Sequence, residues 1–345
     1  MRQRSFASDN NAPVAPEILQ AILDANEGDA VGYGDDEWTR RAIARFKAHF
    51  GEETDVYFAF NGTGANVVAL SCVVRPWEAV LAPATAHIQT DECGAFERFT
   101  GSKVIPISTA DGKLRIPDIE PYLLIGHGEH HPQPKVITIS NTTEYGDVYE
   151  VEELRELCGF AHRHDLLVHV DGARIANAAA ALGATPRAIT KDLGVDILTF
   201  GGTKNGLMGG EAICFFHPEQ SAQAGLYARK QGMQLASKMR YISAQFERLL
   251  TGDLWLRYAS HANAMAQRLL AGVRDMPGVE ITRTVRANAI FAKMTRKAIE
   301  RAQASFFFYT FDEVMPEVRW MTHWATTESD IDEFVSAIRA ALGGE

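Results

Sequence analysis

The sequence predicts an α/β fold: a mainly parallel sheet covered by helices on both sides, followed by a smaller domain. Short apolar runs rich in β-branched residues alternate with segments of helical period, from the first helix to about Leu254. Polar side chains gather where those runs end, at Thr63, His87, Asn141, Asp171 and Lys204. In a doubly wound sheet the carboxyl ends of the strands open onto one crevice, which is where ligands bind. The expected organisation is an N-terminal arm over 1–15, a large domain over 16–253 and a small C-terminal α+β domain over 254–345.

Each element has its own signal. Pro13 and Pro16 delay the first helix, and Ile18, Leu19, Ile22 and Leu23 then keep helical spacing over 16–26. A glycine-rich loop follows at Val31-Gly32-Tyr33-Gly34-Asp35-Asp36, and Ile43, Phe46 and Phe50 mark a helix over 39–50. Residues 55–60 read as a strand that enters the turn Asn61-Gly62-Thr63-Gly64 and then a helix. Strand, glycine turn and helix together aim free backbone N–H groups at an anion, although an ordinary capped helix start has the same pattern. Further strands are expected over 80–84, 103–108, 136–140 and 166–170, with helices over 151–162 and 175–182. The run Val195-Asp196-Ile197-Leu198-Thr199-Phe200 reads as a buried strand and empties into Gly201-Gly202-Thr203-Lys204-Asn205-Gly206. Beyond it come a helix over 262–273, strands over 278–281, 289–292, 306–310 and 318–321, and a closing helix over 331–342.

Composition bounds the function. Hydrophobic residues at 46% and charged residues at 23% describe a globular chain with material for a large core. A formal net charge of −10 argues against nucleic acid as the main partner. The chain lacks a continuous apolar run of membrane-spanning length, and its start lacks the apolar core of a signal peptide. Cys72, Cys93, Cys158 and Cys214 show no paired spacing and read as reduced thiols, so a cytoplasmic location is expected.

The chemistry rests on residues from separate strands. Lys204 at the mouth of a sheet is placed to lose its proton by desolvation and form a Schiff base with an aldehyde, whereas a surface lysine in a hairpin is the plain alternative. Asp171 ends a buried strand, where a carboxylate needs a positive partner. An aspartate facing a ring nitrogen, a lysine facing an aldehyde and a glycine turn facing a phosphate together describe a pyridoxal 5′-phosphate site. Arg319, between Val318 and Trp320 in a strand, needs an anion, which a substrate carboxylate or an internal ion pair supplies.

In order and spacing, Gly62-Thr63-Gly64-Ala65-Asn66, Ala86-His87, His169-Val170-Asp171-Gly172-Ala173-Arg174 and Thr203-Lys204 resemble the threonine aldolases. The segment Phe200-Gly201-Gly202-Thr203-Lys204-Asn205 is similar to the low-specificity L-threonine and L-phenylserine aldolases in particular. The resemblance spans Ser8-Asp9 to Arg319 and implies the fold-type-I pyridoxal phosphate architecture, with a seven-stranded type of sheet. It further implies that Lys204 holds the cofactor's aldehyde, Asp171 meets the ring nitrogen, Arg174 lies beside the phenolic oxygen, and Gly62 and Thr63 bind the phosphate. By the same resemblance, Ser8 and Arg319 would grip the substrate carboxylate, His87 would stack over the ring, and His130 would approach the substrate β-hydroxyl. Arg240 would reach the phosphate, and Tyr33 the site, from a neighbouring subunit, in a homo-oligomer of tetrameric type.

The implied activity is cleavage of L-threonine, L-allo-threonine or L-phenylserine to glycine and an aldehyde, with His87, His130 or a held water as the base. The competing expectations are a β-eliminating lyase or aminotransferase of the same fold, or a binding protein that keeps the fold without chemistry. The cluster His127, His130 and His131 has metal-ligand residue types, but its flanking Pro132 and Pro134 favour a polar loop, and no metal is expected.

Overall fold

The protein is described by a computed structural model that covers residues 4–124, 128–221 and 224–343. Seven strands, β1 (Asp55–Ala59), β2 (Glu78–Pro83), β3 (Lys103–Ile107), β4 (Gln133–Ser140), β5 (Leu167–Gly172), β6 (Ile197–Gly201) and β7 (Glu211–Phe215), form one sheet in the order β1-β7-β6-β5-β4-β2-β3. β7 pairs antiparallel with both neighbours, and the pairings among β2 to β6 are parallel. Parallel strands joined by crossover helices put their carboxyl ends on one edge, so the loops after β2, β4, β5 and β6 converge there.

The large core is aromatic on one side of this sheet. Phe46 lies 5.4 Å from Phe200, 5.5 Å from Phe246 and 5.9 Å from Phe58, all fully buried. Helix Glu37–Phe50 carries Phe46 and begins before the first apolar position, because Asp36 caps it by accepting the Thr39 N–H at 2.8 Å. β7 is absent from the strands read from sequence. It is buried on both faces, so it has no alternation, and its apolar run is short and opens on Glu211.

The second sheet is antiparallel: β8 (Glu280–Ile281), β9 (Ala289–Lys293), β10 (Tyr309–Asp312) and β11 (Glu317–Met321) in the order β10-β11-β9-β8. Its core holds Phe308, Trp320 and Phe334, and Phe6 from the arm stacks on Phe334 at 4.0 Å. The arm is tied to the same sheet, since Phe6 N donates to Phe307 O at 2.8 Å and Phe6 O accepts from Met321 N at 2.8 Å. The strand expected over 306–310 is displaced to β10 because Phe306 and Phe308 turn into the aromatic core, leaving one bridge from Phe307 to Ser5. Helix Leu254–Val273 joins the two layers: Asn263 exchanges side-chain bonds with Asn177 of helix Ile175–Leu182, and its far face packs on helix Glu328–Leu342. Among the described residues no helix is long and apolar enough to cross a membrane.

Candidate active site

The carboxyl edge of the large sheet opens into a cleft lined by Gly62, His87, Asp171, Arg174 and Lys204 together with Glu92, Ser140, Thr142, Glu144 and Ala173. Five of the residues singled out in the sequence thus meet in one place, drawn from four different loops.

Lys204 stands in the short turn Thr203–Asn205 between β6 and β7, an antiparallel connection and hence a hairpin in topology. It is nevertheless partly buried in the cleft wall. The Arg174 charge and desolvation both lower its pKa from the usual lysine value, and Glu211 stands close enough to oppose them. Glu211 itself is buried and accepts the Gly202 N–H at 3.0 Å; burial raises its carboxyl to about 7.

Asp171 ends β5. Burial by itself would raise its pKa, but the bond from Asn66, the Ala173 N–H and the Lys204 charge together hold it below the ordinary value. The bonds are Asn66 Nδ2 to Oδ2 at 2.9 Å and Ala173 N to Oδ1 at 3.0 Å. Asn66 reaches this position from helix Gly62–Ser71. Its second amide hydrogen goes to Glu92 Oε1 at 2.9 Å, and its Oδ1 accepts from Thr199 Oγ1 at 3.0 Å.

The chain of bonds continues beneath the cleft. Thr199 spends its one hydrogen on Asn66, so it must accept from His169 Nε2 at 2.9 Å, and His169 Nδ1 then accepts from Thr138 Oγ1 at 2.8 Å. His169 is therefore the Nε2–H tautomer, and burial keeps it neutral with a pKa of about 4. At the other end His87 Nδ1 meets Glu92 Oε1 at 2.8 Å, and His87 N donates to Glu144 Oε1 at 3.1 Å. Glu144 also accepts from Ser140 Oγ at 2.5 Å, and burial raises its carboxyl.

Helix Gly62–Ser71 presents its N-terminus to the cleft. Asn61 caps it by accepting the Gly64 N–H at 2.8 Å, while the N–H groups of Gly62 and Thr63 take no bond among the described residues. Space in front of Gly62 is open: an added Cβ would meet nothing within 4 Å. Gly64 serves another purpose, since a Cβ there would come within 2.3 Å of the Gln234 side chain.

Arg174 is pinned by Asp9 of the arm, through Nε to Oδ2 at 2.7 Å and Nη2 to Oδ1 at 2.9 Å. Arg319 lies nearby on β11 and has no carboxylate within ion-pair distance among the described residues. Its Nη2 reaches Ala7 O at 3.4 Å and its buried Nε has no partner. Burial and the Arg174 charge both lower its pKa. Two guanidinium groups and one carboxylate leave net positive charge, an opening for an anion. Ser8 sits between these contacts, but its hydroxyl caps the turn Asp9–Asn11 by accepting the Asn10 N–H at 3.1 Å.

Thr63, Ser8 and Arg319 border the cleft without lining it, and three further expected residues lie away from it. His130 is exposed in the turn that precedes β4, at the amino end of a strand whose carboxyl end, Ser140, lines the cleft. A strand rises ~3.3 Å per residue, so β4 itself separates His130 from the site, which His87 and Glu144 line. His130 precedes β4 in the sequence, so its expected place near the substrate rested on the resemblance alone. Tyr33 is 55% exposed, with its N–H bonded to Ser237 O and Lys230 5.4 Å over its ring. Arg240 donates to Gly28 O at 2.9 Å, so it shares one surface with the Tyr33 loop. His127 lies outside the described residues, and among those described no group of three His, Cys, Asp or Glu side chains suits a metal ion.

Glu92, Glu144 and Asn66 were missed in the sequence. Asn66 sits on an apolar helix that signals packing, and Glu92 and Glu144 lie in irregular loops, where no period announces a site.

This geometry coincides with an established family. The chain belongs to the beta-eliminating lyase family, whose model matches residues 5–297. Enzymes of this family generally depend on pyridoxal phosphate. Within it the chain stands among the low specificity L-threonine aldolases: it is 43% identical over 343 residues to the one from Pseudomonas sp. (strain NCIMB 10558), covering 99% of both chains. It is 42% identical over 344 residues to that of Pseudomonas aeruginosa, covering 99% of this chain and 98% of the other. A solved structure of Leishmania major threonine aldolase superposes with a TM-score of 0.92 at 32% identity, covering 98% of this chain and 99% of that one. The chain is thus an enzyme of the lyase class with the fold-type-I architecture.

Proposed function

We propose that the protein binds pyridoxal 5′-phosphate and cleaves L-β-hydroxy-α-amino acids, such as L-threonine, L-allo-threonine and L-phenylserine, to glycine and an aldehyde. The observation that carries this reading is the meeting of Lys204 and Asp171 in one buried cleft, beside a guanidinium on Arg319 that lacks an anionic partner. The residues fit the cofactor: an open helix N-terminus at Gly62 and Thr63 suits its phosphate, a lysine of lowered pKa its aldehyde, and an ionised aspartate its ring nitrogen. When bound, the cofactor supplies an electron sink for the pair left at the substrate's α-carbon.

The chain's own groups divide the remaining work. Lys204, its pKa lowered by the Arg174 charge and by desolvation, offers the amine. Arg319, with Ser8 next to it, orients the substrate carboxylate in a two-point fork. Arg174, oriented by Asp9, would lie beside the cofactor's phenolic oxygen. His87 would lie against the cofactor, and His87 and Glu144, which line the cleft, would accept and return the β-hydroxyl proton. The exposed Tyr33, Leu226, Tyr227 and Met233 support a homo-oligomer that shares sites across subunits, a tetramer in the family manner. A cytoplasmic location accords with the four free cysteines.

The test is to add pyridoxal phosphate and then L-threonine, allo-threonine or phenylserine. Glycine with acetaldehyde or benzaldehyde is the expected product. Ammonia with a keto acid would instead indicate β-elimination, and absence of products would indicate a binding protein. Lys204→Ala should remove the cofactor's visible-edge absorbance band and lower the rate by on the order of 10⁴-fold.

A further inference from the structure

The cleft holds a carboxylate, Glu92, that the roles assigned so far leave unused. Its side chain is 0% exposed, and its Oε1 accepts two N–H bonds, from Asn66 Nδ2 at 2.9 Å and from His87 Nδ1 at 2.8 Å. The orientation of Asn66 is settled by chemistry. Flipping its amide would set its oxygen against the Glu92 and Asp171 carboxylates and its NH₂ against the hydroxyl hydrogen of Thr199. With both amide hydrogens spent on carboxylates, Asn66 fixes where Glu92 stands relative to Asp171.

The proton on His87 follows. A carboxylate oxygen can only accept from a ring nitrogen, so Nδ1 carries the hydrogen and the neutral ring has its lone pair on Nε2. Nε2 takes no bond among the described residues, and the His87 side chain, 41% exposed, lines the cleft. A base held by a third group in this manner is the general pattern of an activated site.

We propose that Glu92, anchored by Asn66, is the positioning residue that keeps the proton of His87 on Nδ1 and leaves Nε2 as the acceptor facing substrate. This rests on the aldol-cleavage reading for the identity of the substrate, but the state of His87 belongs to the chain itself. The groups around the ring act in both directions, and together they raise its pKa. The Glu92 bond raises the pKa of His87, burial opposes it, the Asp171 charge raises it further, and Lys204 lowers it, while Glu144 holds the backbone N–H.

Glu92→Gln keeps an oxygen for both N–H groups and removes the charge, so the fold is expected to hold. A second variant, Asn66→Ser, leaves Glu92 charged but releases its anchor. The first measurement is the titration of His87 by NMR of histidine-labelled full-length protein, with and without pyridoxal phosphate, assigned through His87→Asn. His87 should titrate about one pH unit lower in Glu92→Gln. With L-threonine, the acid limb of the kcat/KM profile should move the same way, kcat should fall about 10-fold to 100-fold and KM should change little. Asn66→Ser should lower kcat while His87 keeps a raised pKa. An unmoved His87 titration in Glu92→Gln would overturn the proposal, and so would a moved titration with an unmoved rate profile. If the wild-type protein releases no aldehyde, the functional reading fails, and the NMR titration still decides the role of Glu92.

Discussion

Asp9 and Arg174 meet in a two-point ion pair, Nε to Oδ2 at 2.7 Å and Nη2 to Oδ1 at 2.9 Å, which ties the N-terminal arm to the end of β5. Burial would raise the Asp9 carboxyl, but the charge and bonds of Arg174 outweigh it and hold the group at about 2 against an ordinary 3.8. A carboxylate whose folded pKa is depressed contributes stability above its unfolded pKa and loses it as pH falls through the folded one. Denaturant melts should therefore show a loss of stability between about pH 4 and pH 2 that Asp9→Asn largely removes. At neutral pH the same variant leaves Arg174 unpaired and should cost about 3 kcal/mol or more.

His169 gives the opposite kind of test. It is buried and neutral, with a folded pKa of about 4 below the ordinary 6.5. Its contribution is complete above about 6.5 and lost as pH falls toward 4, because the unfolded chain takes up the proton first. His169→Gln can still bridge Thr138 and Thr199 but cannot titrate. The variant should show a shallower fall in stability over that window, measured by chemical denaturation at stepped pH.

Two glycines of one turn should behave differently. At Gly64 an added methyl displaces Gln234, whose Oε1 accepts the Phe60 N–H at 2.9 Å, so Gly64→Ala should cost ~1 kcal/mol of stability or more. At Gly62 the space is open, so Gly62→Ala should fold with nearly unchanged stability but crowd the approach of a phosphate. Thermal melts together with titration of pyridoxal phosphate separate the two: stability moves for Gly64, and cofactor affinity for Gly62.

Arg319 is expected to act on binding rather than on the fold. Its guanidinium has no carboxylate partner among the described residues, so Arg319→Gln breaks no internal ion pair and should not destabilise the chain. It should raise the KM for L-threonine about 10-fold to 100-fold, the scale of a lost charge-assisted contact, with Arg319→Lys in between. A stability loss with unchanged KM would assign the arginine to packing instead.

Much of the site was legible because local physics demands it. A glycine turn before a helix, an aspartate ending a buried strand and a lysine in a glycine-rich turn each carry a mark that neighbours in sequence explain. Gly62, His87, Asp171, Arg174 and Lys204 meet in one cleft because parallel strands bring their carboxyl ends to one edge. What the pattern could not supply was partnership across the chain. Asp9 joins Arg174, and Asn66 joins Glu92 to Asp171, through contacts without a sequence period.

The amino-acid sequence by itself determined the α/β class, the order of most elements and the two residues, Lys204 and Asp171, on which a pyridoxal phosphate site depends. The tertiary structure decided the antiparallel insertion of β7, the return of Phe6 into the small core and the exclusion of His130 from this chain's cleft. The reason is that residue periodicity reports which face of an element is buried, whereas strand order, and hence which end of a strand faces the site, is set by the packing of the whole chain.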